Sequence, residues 1–406
     1  MSPTALAERT GEISTESFSG VPPAPAGPDG SPKRGHRHPW RRHFLVLFLV
    51  LLAPVAWSYE QALTYPGSAG WEMRSIEWLR SHGAGGAVDN LEVWVYTRHH
   101  PPTSGLPTGP LPARPTARQA ALVARARARG QLPRLDPAIR PALRGEAAWR
   151  PGRLGPNGRP AIYTTWFRPD PGHPTLVAGV LRIDPSESRL HLLAGTKDPG
   201  GGPWPGNSQV DPRHRSTTLA AFNSGFLMKG AHGGFFENGR HGGQLRNGQA
   251  SVVIMRNGHA TVGEWGRDAH LSRDVWAVRQ NLALVVDHGR AVKGLKRNTH
   301  FTWGTRKSQL EYVWRSGIGV DAQGNLIYIA GDKFTLTTLA SAFVQAHAVR
   351  AMELDIHYDM VTANLFTPGR RRTSALRTTK LLPHMPRPSK RYLQPDQRDF
   401  FTVTLP

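Results

Sequence analysis

The sequence predicts an α+β fold, a hairpin-rich mixed or antiparallel sheet with few helices, preceded by a single N-terminal transmembrane helix. Three observations carry this. From Ala161 onward, short apolar runs alternate with Gly, Asn and Asp turn signals. Only one strong helical pattern, "TLTTLASAFVQAHAV", interrupts them. One wholly apolar stretch, "FLVLFLVLLAPVAW" (Phe44 to Trp57), stands apart behind a basic cluster.

Residues 1–42 are rich in Pro, Gly, Ser and Arg and hold too little apolar surface for a core, so they read as a disordered basic cytoplasmic tail. Residues 43–60 approach the lower limit of a spanning helix, ~17 residues. A signal-peptide core is the rival reading, but "APVAWS" is a poor small-x-small cleavage site, which favours an uncleaved signal anchor. The basic residues before it place the tail inside and everything after the helix outside, as a single-pass protein of the cell membrane. Residues 61–160 carry some amphipathic pattern ("IEWLRSHG", "NLEVWVYTRHH"), then Pro-rich sequence and an Arg-rich run, and read as a stalk or small subdomain with one helix.

Residues 161–367 are the predicted catalytic or binding domain. "LVAGVLRID" with "SRLHLLAG" suggests one hairpin. "ASVVIMRNGHATVGEW" suggests another, with Asn257-Gly258 as a two-residue turn. Two more turn at Asp287-His288-Gly289 and around Gly324. In the helix, Leu336, Leu339, Ala340, Phe343 and Val344 form one stripe, with Thr335 or Thr337 as N-cap. Residues 368–406 read as a basic C-terminal extension.

Composition removes several chemistries. The chain of 406 residues has no cysteine, which excludes disulfides, zinc–thiolate sites and cysteine nucleophiles. Its net charge of +22 gathers in three Arg-rich places, which points to anionic partners. No aromatic residue interleaves with the Arg114 to Arg134 run, so no nucleic acid is expected. No G-x-S-x-G elbow is present, and the glycines of "GGFFENGRHGGQLRNG" are not followed by a G-K-[ST], so serine-hydrolase and P-loop chemistry are set aside.

The stretch "MELDIHYDM" (Met352 to Met360) alternates apolar with ionisable residues, which as a strand places Glu353, Asp355, His357 and Asp359 on one face. Carboxylate and imidazole together suit several divalent ions. Alternate positions about 7 Å apart do not converge on one ion at ~2.0–2.6 Å, so no metal is assigned, and the sequence requires no cofactor. "LAAFNSGFLMKG" places Asn223, Ser224 and Gly225 after an apolar run, where the backbone turns and either presents an amide to a ligand or serves as a plain turn. Arg315 in "WRSGIGV" is placed for a bidentate phosphate contact.

Taken in order, "FNSGF", "LRNGQASVVIMRNGHATVGEWGRD", "VRQNLALVVDHG", "RSGIGVDAQGNLIYIAGD" and "RAMELDI" together resemble the phosphodiester glycosidase family over about residues 160–367. The resemblance implies an α+β hydrolase domain that acts on sugar-1-phosphodiesters. It aligns Asn223-Ser224-Gly225-Phe226 with an Asn-Gly-Gly-Phe-Phe stretch, and Arg315 to Val320 with an Arg-Thr-x-x-Gly-Val stretch. Leu354-Asp355 falls on the start of a Leu-Asp-Gly-Gly-Gly-Ser stretch, from which this chain departs into Ile356-His357-Tyr358-Asp359.

These residues set the expected roles. Asp355 is the nucleophile or general base, with Glu353 or Asp359 as second carboxylate and His357 as acid/base or as a structural hydrogen-bonding residue. Arg315 and Arg279 hold the phosphodiester, and Asn223, Ser224 and Gly225 contact the sugar or phosphate. The expected partner is a glycan or sugar-phosphate of the cell wall or an exopolysaccharide, with the membrane engaged through the N-terminal helix. A non-catalytic relative that binds an anionic glycan is the alternative, favoured by the altered segment after Asp355.

Overall fold

A computed structural model of the protein describes residues 39–65, 67, 69–88, 90–91, 100–298, 302–304, 312–369 and 376–406. The tail at 1–38, most of the amphipathic stretch "NLEVWVYTRHH", and part of the basic run after Gly369 lie outside the described residues. The chain divides into two units, Met1–Ala56 and Trp57–Pro406. Helix α1 (Pro39–Thr64) contains a segment of 22 residues, His43–Thr64, with a mean hydropathy of 1.6, long and apolar enough to cross a membrane.

After the end of α1, the second unit carries helix α2 (Trp71–Leu79) and helix α3 (Ala117–Ala128). The latter starts at a capping box in which Thr116 and Gln119 satisfy each other's backbone amides. Beyond it lies a fold built from antiparallel sheets, with every strand pair among the described residues antiparallel. The first sheet has eight strands: β1 (Arg150–Pro151), β2 (Ile162–Phe167), β3 (Ala178–Ile183), β14 (Leu326–Phe334), β13 (Val313–Asp321), β15 (Ala348–Ile356), β11 (Leu284–Asp287) and β12 (Arg290–Ala291), in that order. The second runs β7 (Arg240–His241), β6 (Phe235–Glu237), β10 (Val275–Gln280), β8 (Ala250–Met255), β9 (Ala260–Glu264). The third runs β17 (Arg377–Lys380), β16 (Ala363–Thr367), β5 (Thr218–Asn223), β18 (Phe400–Thr404), β4 (Arg189–Leu193). A one-turn helix, α4 (Met228–Ala231), follows β5.

Period-two alternation decides which side of the first sheet each residue faces. On β14, Leu326, Tyr328 and Ala330 join a core shared with Phe222 and Phe401 of the third sheet and Phe235 of the second. Ile327 and Ile329 point the other way, into a core closed by α3 and by helix α5 (Leu336–Gln345) through Val123, Leu339 and Phe343. Gly317 makes that second packing possible, since a Cβ there would stand 2.6 Å from the Phe343 ring and 2.6 Å from the Met352 carbonyl. Thr335 caps α5 by accepting from the Thr338 amide. Val344, expected in the buried stripe, is 36% exposed.

Three local expectations are corrected. The runs around Ala178–Ile183 and Arg189–Leu193 do not form a hairpin: β3 is already paired on both edges, by β2 and β14, so β4 turns away to pair with β18. The turn at Asn257-Gly258 is a three-residue loop, closed by the Met255 amide on the His259 carbonyl (2.8 Å), with Gly258 at φ +78°. That is the geometry in which a type I turn is followed by a left-handed glycine. The strand predicted through Met360 ends at Ile356, and His357 takes φ +79°. The other two turns stand as expected, His288 and Gly289 both left-handed between Asp287 and Arg290, and β13 turning into β14 around Gly324.

Residues 368–406 supply β17 and β18, the latter inserted between β5 and β4. Phe401 is fully buried there, its ring 5.6 Å from that of Phe222. Phe401→Ala is therefore expected to cost about 3–5 kcal/mol, read as a lowered urea midpoint. A loss below about 1 kcal/mol would show that β18 is not a structural part of the sheet.

Candidate active site

Asp355 lies near the end of β15 and is almost entirely buried. Its backbone is tied on both sides: the amide donates to the Ser224 carbonyl (3.0 Å), and the carbonyl accepts from Ser316 Oγ (2.8 Å). Its carboxylate meets the Arg398 guanidinium through Oδ2 (2.9 Å) and the Ile356 amide through Oδ1 (2.9 Å). Burial pushes this carboxyl up to about 6 against the opposing pull of Arg398. Half-paired and half-desolvated, it is placed in the range where a carboxylate accepts protons efficiently near neutral pH.

Glu353, two residues earlier on β15, is fully buried and bonded to Arg315 of β13 at 2.6 Å. Burial raises its pKa, with Arg315 opposing, and its Oε2 has no hydrogen-bond partner among the described residues. Arg315 is likewise fully buried, with Nε on the Phe334 carbonyl (2.8 Å). It sits beneath the site as the counter-charge of Glu353.

Asn223 closes the end of β5, and its amide is spent inside the protein. Nδ2 donates to the Ser224 carbonyl (3.0 Å) and Ser316 Oγ (2.9 Å), while Oδ1 accepts from Tyr328 Oη (2.9 Å) and the Thr362 amide (3.1 Å). All its bonding positions are filled. It therefore staples the first sheet to the third at the point where Asp355 is held. Ser224 Oγ is buried without a partner among the described residues. Gly225 leaves space for Asn281, whose side-chain carbon would lie 3.0 Å from an added Cβ. Arg279 of β10 is fully buried on Asp399 (2.6 Å), with Asp198 at 3.8 Å.

The early end of β15 removes His357 and Asp359 from the face that carries Glu353 and Asp355. His357 is half-buried in the turn that follows, where burial and the charges of Arg80 and Arg315 lower its pKa to about 3. It is neutral at ordinary pH and has no proton to give as an imidazolium. Asp359 is half-exposed, and its carbonyl accepts from Arg391 (3.2 Å). Among the described residues no three His, Asp or Glu side chains gather closely enough to hold a metal ion.

Several groups at this site were missed by the sequence reading. Arg398 and Asp399 immediately precede β18, and Arg391 with Asp396 forms a further buried pair (2.7 Å) beside them. Asp198 adds a carboxyl whose pKa is raised by burial and by Asp399. A signal existed in "DQRDFFTVT", where charged residues run straight into a strand-forming stretch. On the other side stands α2, whose Met73 is buried and whose Glu77 faces the cavity lined by Met360, Arg387, Gln397 and Arg398.

Residues 216–355 match the family model for phosphodiester glycosidase, so the matched segment begins just before β5 and ends on Asp355. This supports the resemblance read from the sequence. Among solved structures, the catalytic domain of zebrafish N-acetylglucosamine-1-phosphodiester alpha-N-acetylglucosaminidase, auto-inhibited by its pro-peptide, is similar at 17% identity, covering 64% of this chain and 87% of that one, with a TM-score of 0.41. A hypothetical protein from Synechocystis is similar at 13% identity, covering 62% of this chain and 63% of that one, with a TM-score of 0.38. A search of curated proteins finds no match.

Breaking the Arg315–Glu353 pair from one side is expected to be severe. Arg315→Met strands a buried carboxylate and should cost about 3–5 kcal/mol, whereas Arg315→Met with Glu353→Leu should recover most of it. The folded-state pKa of Glu353 is raised, so the single variant's deficit should grow as pH rises above the unfolded carboxyl range. Denaturant midpoints at pH 5 and pH 8 measure both effects, and additive losses in the double variant would refute the pairing.

Proposed function

We propose that this protein is a membrane-anchored hydrolase that cleaves a sugar-1-phosphodiester linkage in a cell-wall or exopolysaccharide glycan, with Asp355 at the centre of its chemistry. The observation that carries the reading is the Asp355 carboxylate: buried, held on Arg398, pushed up to about 6, and the last residue of the segment that matches phosphodiester glycosidase.

The chemistry follows from the substrate class. A phosphate leaving group departs as an anion and needs little protonation, so the barrier lies in the oxocarbenium-like sugar and the incoming nucleophile. A carboxylate at the anomeric carbon stabilises the first and activates the second. Asp355 takes this role as nucleophile or as base toward water. Glu353 and Arg315 are positioning residues that fix the end of β15 and the potential around Asp355. Asn223 acts through Ser224 and Ser316, which hold the Asp355 backbone. Asp359, in the turn after β15, is the remaining candidate for a second carboxylate.

Location rests on the N-terminal residues. The basic cluster "KRGHRHPWRRH" precedes the apolar span His43–Thr64, and the positive-inside rule then sets the following chain outside the membrane. There the fold needs no disulfide, since the chain has no cysteine.

A second reading, a glycan-binding relative without turnover, is favoured by the turn after Asp355. Ile356, His357 and Tyr358 replace small residues there, and Tyr358 is 57% exposed beside the site. Hydrolysis of a panel of α- and β-linked sugar-1-phosphodiesters by the full chain in detergent separates the two. The hydrolase reading expects sugar release, with kcat/KM rising through pH about 6 as Asp355 deprotonates and levelling above it. Asp355→Asn should lower it by about 10²–10⁴-fold. No turnover on any member, with glycan binding retained, would establish the second reading instead.

A further inference from the structure

We propose that Gln397 and Arg398, with Arg387 beside them, form a subsite for a phosphoryl group, and that the Glu77 carboxylate of α2 stands at its mouth. The inference rests on the hydrolase reading of Asp355 and adds to it where the anionic half of the substrate binds.

The donors come first. Arg398 commits Nη2 to Asp355 (2.9 Å) and to the Gly225 carbonyl (3.0 Å). Its Nη1 lies 3.8 Å from the Met360 thioether, and its Nε has no acceptor among the described residues. The preceding residue, Gln397, also has a buried Nε2 without an acceptor among the described residues. Buried donors are nearly always satisfied, so two on consecutive residues beside one cavity call for an acceptor. A set made of N–H groups alone suits an oxyanion and repels a cation.

The cavity is also lined by cations. Arg387 is buried on the same cavity, and burial together with the neighbouring Arg391 draws its pKa down to about 10. Asp396 is engaged by Arg391 on both oxygens, and Asp355 by Arg398. Glu77, which lines the same cavity, is among the carboxylates whose charge acts on Arg398. A phosphoryl oxygen offers the same charge with better geometry for a guanidinium fork.

The position fits the substrate class. Arg398 bridges the subsite to Asp355, so a phosphoryl group on Nε and Nη1 lies one guanidinium away from the reacting carboxylate. The cavity as it stands is about 10 Å³, room for roughly one water. A phosphoryl group therefore enters only as Glu77 and Met73 of α2 withdraw, and the anion competes with α2 for the arginines.

The experiment is calorimetric titration of inorganic phosphate into the full chain in detergent, for the wild type, Glu77→Gln and Gln397→Leu. Glu77→Gln, on the half-exposed face of α2, should bind phosphate about 10-fold more tightly than the wild type. Gln397→Leu keeps the volume and removes the donor, and should weaken binding by about 10-fold or more. Binding to Glu77→Gln alone also supports the subsite, because it shows the competition directly. No phosphate binding to either the wild type or Glu77→Gln overturns it, as does unchanged affinity in a folded Gln397→Leu. The readout needs no turnover: phosphate binding with no hydrolysis of any diester leaves the subsite standing and removes the hydrolase, whereas diester hydrolysis with no phosphate binding does the reverse.

Discussion

Charge does not stay buried without a partner, and this constraint organises the molecule around Asp355. Four arginines and four carboxylates are withdrawn from solvent there, paired as Arg279–Asp399, Arg315–Glu353, Arg391–Asp396 and Arg398–Asp355. The pairs are not confined to one sheet. Arg315, Glu353 and Asp355 come from the first, Arg279 from the second, and Arg398 and Asp399 from the segment that leads into the third. Each cross-sheet pair ties the position of one layer to another, so the three sheets register against each other through the site itself.

Neutral contacts complete what the charges begin. Asn223 accepts from Tyr328 of the first sheet and from Thr362, and donates to Ser316 and Ser224, which in turn hold the Asp355 backbone. A residue that fills all its hydrogen-bonding positions inside the protein is a scaffold element, and its effect on chemistry runs through the group it fixes. Asp355 thus inherits its precision from β5 and β13 as well as from its own strand. This separates the residues expected at the site into two kinds: Asp355, to which the proposed reaction is assigned, and Asn223, Arg315, Glu353 and Arg279, whose bonds are made inside the protein.

What the sequence made legible was local. The hairpin at Gly324, the left-handed turn at His288-Gly289 and the Thr335 cap follow from short-range rules of backbone conformation and amide capping, and each is where those rules put it. The alternation in "MELDIHYDM" found the strand and its two buried carboxylates, but not where the strand stops. Period two persists in the letters through Met360, whereas the backbone leaves the sheet at His357. Pairing is what ends it: Ile356 is the last residue registered on β13, opposite Arg315. Non-local facts were out of reach for the same reason. That β3 has no free edge, and that β18 enters between β5 and β4 carrying Arg398, are properties of the assembled sheets, with nothing in the neighbouring letters to announce them.

The arrival of Arg398 from so far along the chain has a chemical consequence. A carboxylate paired on both oxygens with a guanidinium is a weak base, and one buried with no cation is protonated and inert. Asp355 is held between these limits, one oxygen on Arg398 and the other on the Ile356 amide, with burial opposing both. Its neighbour Asp399 is engaged by Arg279 and pushes the Asp355 pKa upward as well. Two residues just before β18, outside the segment that matches the family model, thus act on the basicity of Asp355 alongside its burial. The strand that bears the carboxylate lies in the first sheet, while Arg398 and Asp399 lead into a strand of the third, so a displacement of β18 that parts Arg398 from Asp355 raises the proton affinity of Asp355.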